Sequence, residues 1–172
     1  MNYDQLIAKS KLVYNEASQV PLSPYVFTDG AKWMCNQLNQ LSDRKTEFTD
    51  SVNYTAYGLL KYGISLLFFL LSVFFFVHIN ILLVPLAVVI FYFAEVHFLF
   101  LFPLLIDGVQ HPLQQSVKAT YSIGLFTSMY TVFRIGLFMI TGLFNISTPF
   151  RNWHIGCMAI IIWYQHDVRS RI

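Results

Sequence analysis

Two long apolar stretches, residues 59–77 and 81–106, follow each other with only His78, Ile79 and Asn80 between them. Each is long enough for a membrane-spanning helix, which needs about 20 predominantly apolar residues. The chain is 56% hydrophobic and only 12% charged, whereas soluble domains carry about 25% charged residues. The pattern predicts an integral membrane protein whose first two spans form a tight antiparallel hairpin.

Residues 121–144 are long enough for a third span. At about 100° per residue, its polar side chains fall on one side, where Thr127, Thr131 and Arg134 form a candidate polar lining. The opposite side carries the apolar side chains Phe126, Met129, Phe133, Leu137, Ile140 and Phe144. This division predicts an inner face toward the bundle and an outer face toward lipid.

A fourth segment, residues 150–166, has an apolar centre of only about 12 residues. That length is also typical of a re-entrant or interfacial helix. We interpret the segment as a short span, because local thinning of the bilayer accommodates such a helix. The predicted fold is therefore an all-α polytopic membrane bundle of about four transmembrane helices.

The first part of the chain is polar and holds six of its nine acidic residues. Apolar or small side chains recur at helical spacing over residues 1–17, which predicts an amphipathic helix. A second short helix is predicted over residues 31–41, with Asp29 placed to cap it. The chain thus divides into a polar cytoplasmic helical region, residues 1–57, and a transmembrane bundle, residues 58–172.

Basic residues near the ends of the spans predict the orientation of the chain. Lys61, Lys118, Arg169 and Arg171 would share the amino-terminal side, whereas the other side has only Arg151. Because Lys and Arg are enriched on the cytoplasmic side, both termini are predicted to be cytoplasmic. The first residues lack the pattern of a secretory signal, and we expect the protein in the plasma (inner) membrane, with Lys61 snorkelling outward.

Glu95 and Arg134 both lie near the middle of predicted spans. An isolated charge at that depth costs roughly 2.5–3.5 kcal/mol or more. We therefore expect the two side chains to form an ion pair between the second and third spans, since a guanidinium fork matches a carboxylate. Such a pair either specifies helix packing alone, or Arg134 organises a site for an anionic lipid headgroup, a substrate carboxylate or a proton.

Three more residues of the second span and its exit are candidates for chemistry. His97 points about 200° away from Glu95 on a helix, so it is interpreted as a packing residue or a proton relay. Asp107 and His111 lie around a glycine turn, where they stabilise the turn or bind a headgroup or a metal. The histidines are too widely spaced for the ligand boxes of a membrane di-iron desaturase or hydroxylase, and no cofactor is indicated.

The sequence favours a non-catalytic subunit or an accessory or assembly factor of a membrane complex, because no complete catalytic motif occurs. One alternative is a small oligomeric transporter or channel that uses the Glu95 and Arg134 interior. Another is a membrane enzyme acting on a lipid or isoprenoid through Glu95, His97, Asp107 and His111. The expected partners are the lipid bilayer and another membrane protein or a second copy, and the scattered basic residues exclude a nucleic-acid-binding run.

Overall fold

The computed structural model describes residues 1–15 and 23–171, and every regular element in those residues is helical. The α-helices are α1 (Tyr3–Val13), α2 (Val26–Leu41), α3 (Tyr54–Ile79), α4 (Leu86–Val96), α5 (Leu101–Ile106), α6 (Pro112–Ile123), α7 (Leu125–Gly142) and α8 (Arg151–Asp167). Short 3₁₀ turns follow α3 at Ile81–Leu83 and α8 at Arg169–Arg171. The predicted all-α class is confirmed.

Three segments are long and apolar enough to cross a membrane: Tyr54–Ile79, Ile81–Ile106 and Leu125–Gly142. Their lengths of 26, 26 and 18 residues correspond to about 39, 39 and 27 Å of helix. The hydrocarbon core of a bilayer is about 30 Å thick. The chain is therefore an integral membrane protein with three candidate spans.

The first two spans form the expected hairpin, and Asn80 makes the turn. Its backbone N–H donates to the Phe76 carbonyl at 2.8 Å, and its side-chain oxygen accepts from the Leu82 N–H at 2.9 Å. Lys61, Ser65 and Ser72 are among the buried residues of α3, whereas most of its Leu and Phe side chains are exposed. Because α3 packs against α4, its exposed apolar surface is left for lipid.

The second span is interrupted, although a continuous helix was predicted over residues 81–106. α4 ends at Val96 and α5 begins at Leu101. At this break the carbonyls of Val96 and His97 accept hydrogen bonds from the hydroxyls of Thr120 at 2.8 Å and Ser116 at 2.9 Å, both on α6. Neighbouring Ser and Thr side chains commonly satisfy the carbonyls of a broken membrane helix.

The predicted third span is also divided, because the chain turns at Gly124 with φ of +108°, a conformation that L side chains rarely adopt. The candidate span therefore begins at Leu125. Several predicted outer residues are exposed: Phe126, Leu137, Ile140 and Phe144. The predicted inner stripe is correct only in part, since Thr131 is buried but Thr127 is exposed. The buried face of α7 contains Ser128, Thr131, Val132, Ile135 and Gly142.

The fourth predicted span corresponds to α8, which has more buried residues than any other helix in the described part of the chain. Nine of its 17 residues are buried, and Trp163 and Tyr164 are fully so. α8 packs against α7, α1 and α2. Gly156 makes the α7 contact possible, because a Cβ there would lie 2.4 Å from Cγ of Met139. The described structure thus supports three candidate spans, and α8 is covered by protein on several sides.

The two polar helices pack onto this bundle. α1 begins with a capping box, in which Asn2 accepts from the Gln5 N–H and Gln5 accepts from the Asn2 N–H. Its buried residues are Leu6, Ile7 and Ser10, and it ends at Val13, while the predicted end at Ala17 lies outside the described residues. α2 begins at Val26, five residues before the predicted start, and contacts α8, α3 and α5.

Candidate functional site

Three charged clusters tie different elements of the bundle together, and each contains one of the predicted site residues Glu95, Arg134 and Asp107. The first joins α3 and α4, the second joins α7 and α1, and the third joins the end of α5 to the carboxy-terminal turn. In each cluster a carboxylate lies within 4.0 Å of a cation far away in the sequence.

Glu95 pairs with Lys61 and not with Arg134. The Lys61 ammonium lies 3.5 Å from the Glu95 carboxylate, and the two side chains are 7% and 15% exposed. The Tyr62 ring lies 5.1 Å from the same ammonium. Lys61 does not snorkel outward as predicted, because it lies on the same α3 face as buried Ser65, which packs toward α4. The pairing reduces the cost of placing either charge within a span.

Arg134 instead pairs with Asp4 of α1, at 3.1 Å. Its guanidinium also stacks on the Tyr3 ring, with 3.9 Å between the guanidinium carbon and the ring centre. The predicted Glu95–Arg134 pair is therefore wrong, because Arg134 lies on the side of α7 that faces away from α4.

Gly136 of α7 faces α4, since a Cβ there would lie 2.1 Å from the Tyr92 hydroxyl oxygen. Arg134 precedes Gly136 by two positions, which places it about 200° around the helix and away from α4. The sequence placed both residues within candidate spans, but it did not give the direction of the Arg134 side chain.

Asp107 is the centre of the third cluster. It accepts from Arg169 Nη2 at 2.8 Å, from the Thr46 hydroxyl at 3.0 Å and from the Tyr164 hydroxyl at 2.8 Å. The Asp107 and Arg169 side chains are only 2% and 5% exposed. The sequence did not predict this network. The one available signal was that the positive-inside pattern placed Arg169 on the side where the second span exits.

Cys35 lies beside this third cluster. Its thiol donates to the Thr46 carbonyl with a sulfur-to-oxygen distance of 3.4 Å, and the residue is 2% exposed. Burial raises the pKa of the Cys35 thiol, and the nearby Asp107 carboxylate raises it further, although Arg169 opposes this effect. The thiol therefore stays protonated at neutral pH and is unreactive while the cluster is closed.

His97 and His111 are placed apart from these clusters. His97 Nδ1 lies 2.7 Å from the Phe93 carbonyl oxygen, and Nε2 lies 3.3 Å from the Tyr121 hydroxyl of α6. His111 is exposed and precedes α6 in a left-handed conformation, with φ of 53°. Glu95, His97, Asp107 and His111 thus have separate neighbours and different local roles.

Within the described residues, no three His, Cys, Asp or Glu side chains are grouped so that they can hold a metal ion. A surface depression of about 490 Å³ lies on α2 and the following loop. Its lining residues are Trp33, Asn36, Gln37, Asn39, Gln40 and Lys45. The buried Trp33 indole N–H has no hydrogen-bond partner among the described residues.

The chain matches no protein-family model, and neither a similar curated protein nor a similar solved structure was found.

Proposed function

We propose that this integral membrane protein is a non-catalytic subunit or accessory protein of a membrane complex and that α2 docks its partner. The main support is that the charged groups of the predicted site form ion pairs within the chain. Glu95, Arg134 and Asp107 each contact an oppositely charged group from another element. These contacts hold the chain together and connect α1 and the loop after α2 to the spans.

The amide-lined depression on α2 is the surface that suits a partner. The inner face of this helix buries Ala31, Cys35 and Leu38, whereas Asn36 and Gln40 are exposed on the outer side. Asn and Gln side chains each donate and accept hydrogen bonds, so they can pair with the backbone of a partner segment. A depression of several hundred Å³ gives such a segment a concave surface.

Co-purification in a mild detergent tests this proposal. A double variant, Asn36→Ala with Gln40→Ala, should lose the partner while its thermal unfolding stays unchanged, because both side chains are exposed. The matched control is Gln114→Ala, which removes an exposed amide from α6. A stable lone monomer with an activity of its own, or equal partner loss in the control, would contradict the proposal.

A small transporter is a second candidate, because the interruption of the second span lies next to the Lys61–Glu95 pair. Interrupted helices are the places where many transporters bind substrates and coupling ions. Reconstituted vesicles should then show a flux that Glu95→Gln abolishes and that Glu47→Gln, an exposed control outside the spans, leaves intact. If the vesicles show no flux of the cations, anions and amino acids tested, this candidate is ruled out.

We also propose that both termini are cytoplasmic and that the membrane is the plasma (inner) membrane. Contacts between Thr46, Asp107 and Arg169 bring the loop before α3, the exit of the second span and the chain end together. Single cysteines at Ser51 and Asn145 test the orientation in intact cells, in a background without the native thiols. A membrane-impermeant maleimide should label Asn145→Cys and not Ser51→Cys; the reverse pattern would refute the orientation.

A further inference from the structure

α1 lies along the middle of α7. Its Asp4 carboxylate contacts the Arg134 guanidinium at 3.1 Å, and the Lys11 ammonium lies 5.4 Å from the centre of the Phe138 ring. Arg134 and Phe138 are one helical turn apart on α7. The two helices therefore run side by side across a part of the third candidate span.

Three charged residues of α1 are exposed, namely Asp4, Lys9 and Lys11. Charged groups on an exposed helix face do not lie in hydrocarbon, where each costs several kcal/mol. Water or lipid headgroups must therefore reach Arg134 and Lys11 on this flank. Further along α7, the apolar residues Ile140 and Phe144 are 47% and 82% exposed.

The Arg134 side chain has unused capacity for an anion. It is 35% exposed, and its Nη2 donates to Asp4, whereas a guanidinium has five N–H donors in all. Arg134 and Lys11 carry two positive charges against the one negative charge of Asp4. The exposed Tyr130 ring lies 5.7 Å from the guanidinium carbon, and tyrosine rings favour the headgroup level.

From this geometry we propose that Arg134 and Lys11 bind the phosphate of a membrane phospholipid, with Asp4 as a competing internal anion. The guanidinium fork contacts phosphate oxygens in a bidentate way. The acyl chains then lie against the exposed apolar surface of Leu137 and Ile140. This site is independent of the proposed docking surface on α2.

Native mass spectrometry of the detergent-purified protein with added phosphatidylglycerol tests the proposal. Arg134→Gln should lower lipid retention by about tenfold, as expected for the loss of a charge-assisted contact. Lys11→Gln should lower it less, and Lys118→Gln on α6 is the matched control. Asp4→Asn should raise retention by about threefold, because it removes the competing carboxylate.

The decisive result is that Asp4→Asn and Arg134→Gln change lipid retention in opposite directions. If the Asp4–Arg134 pair is only a structural tie, both variants loosen α1, retention changes in the same direction, and the proposal is overturned. Asp4 is 71% exposed on its side chain, so Asp4→Asn should fold even if Arg134→Gln does not.

Two further ligands identify what is recognised. A galactosyl diacylglycerol lacks phosphate and should be retained at least fivefold less than phosphatidylglycerol, as expected for the loss of a charge-assisted contact; equal retention would overturn the proposal. Inorganic phosphate at millimolar concentration should displace little lipid. Full displacement would assign the site to free phosphate and would overturn the lipid assignment.

Discussion

Replacing Arg169 by Met is the most informative single perturbation of this fold. The substitution keeps an apolar stem of similar length but removes the guanidinium from a cluster that joins α8 to the loop after α2 and to the exit of the second span. It leaves the Asp107 carboxylate, which is 2% exposed, without its cation. The tie between the chain end and the rest of the bundle is then weakened.

The size of the effect follows from the burial of the pair. Removing one partner of a buried ion pair costs about 3–5 kcal/mol, because the other charge stays buried without compensation. Asp107 keeps its hydrogen bonds from Thr46 and Tyr164, so we expect a value near the lower limit, about 3 kcal/mol. Because 1.4 kcal/mol is a factor of ten, opening of this region should become roughly 100-fold more frequent.

Cys35 provides the assay, since it is buried beside Thr46 and is the only thiol left in a Cys157→Ser background. Maleimide reacts with it only when the region opens, so the labelling rate follows the free energy of local opening. Arg169→Met should increase that rate about 100-fold. Adding Asp107→Asn should restore most of the protection, because no charge is then left unpaired. A change below tenfold, or no recovery in the double variant, would refute the reasoning.

Three further predictions concern other contacts of the bundle. Lys61→Met should lower stability in detergent by about 3 kcal/mol, and adding Glu95→Gln should recover much of it, as measured by thermal unfolding. Gly136→Ala should destabilise the α4–α7 contact by about 1–3 kcal/mol, and Tyr92→Phe should partly rescue it by removing the hydroxyl oxygen that lies 2.1 Å from the new Cβ. Burial opposes ionisation of Asp167, but hydrogen bonds from His166 and the amino-terminal ammonium hold the pKa of its carboxyl below the ordinary 3.8. The ionised Asp167 therefore stabilises the fold above pH 3.8. This stabilisation is lost as the pH falls through the lower pKa of the folded state. Asp167→Asn should remove that acid-dependent part of the unfolding midpoint without changing the rest of its pH profile.

Much of the fold was predictable because it depends on local properties of the chain. The length and hydrophobicity of residues 59–77 and 81–106 predicted the first two spans and their hairpin, since transfer into hydrocarbon depends on the composition of the segment itself. The outer apolar face of α7 was predictable from helical periodicity for the same reason. The breaks within the second and third predicted spans were missed. At the break in the second span, side chains of another helix bond the backbone carbonyls, and no local pattern indicates this.

The candidate site was predictable only as a set of residue types. Glu95 and Arg134 were correctly expected to need partners, yet the partners are Lys61 and Asp4. The sequence indicates roughly how deep a residue lies in a span. It does not indicate which way the side chain points once two helices have packed, and the close approach of Tyr92 to Gly136 sets that direction here.

The sequence by itself determined the class of this protein: a helical chain, rich in apolar residues, with spans that must lie in a membrane. The tertiary structure alone decided which charges meet, that α8 is enclosed by α1, α2 and α7, and that a carboxylate at the exit of the second span holds the chain end. Hydrophobic transfer acts on each segment separately, whereas an ion pair needs two side chains from distant positions to converge. Their convergence depends on the packing of whole helices, and no local pattern of residues encodes it.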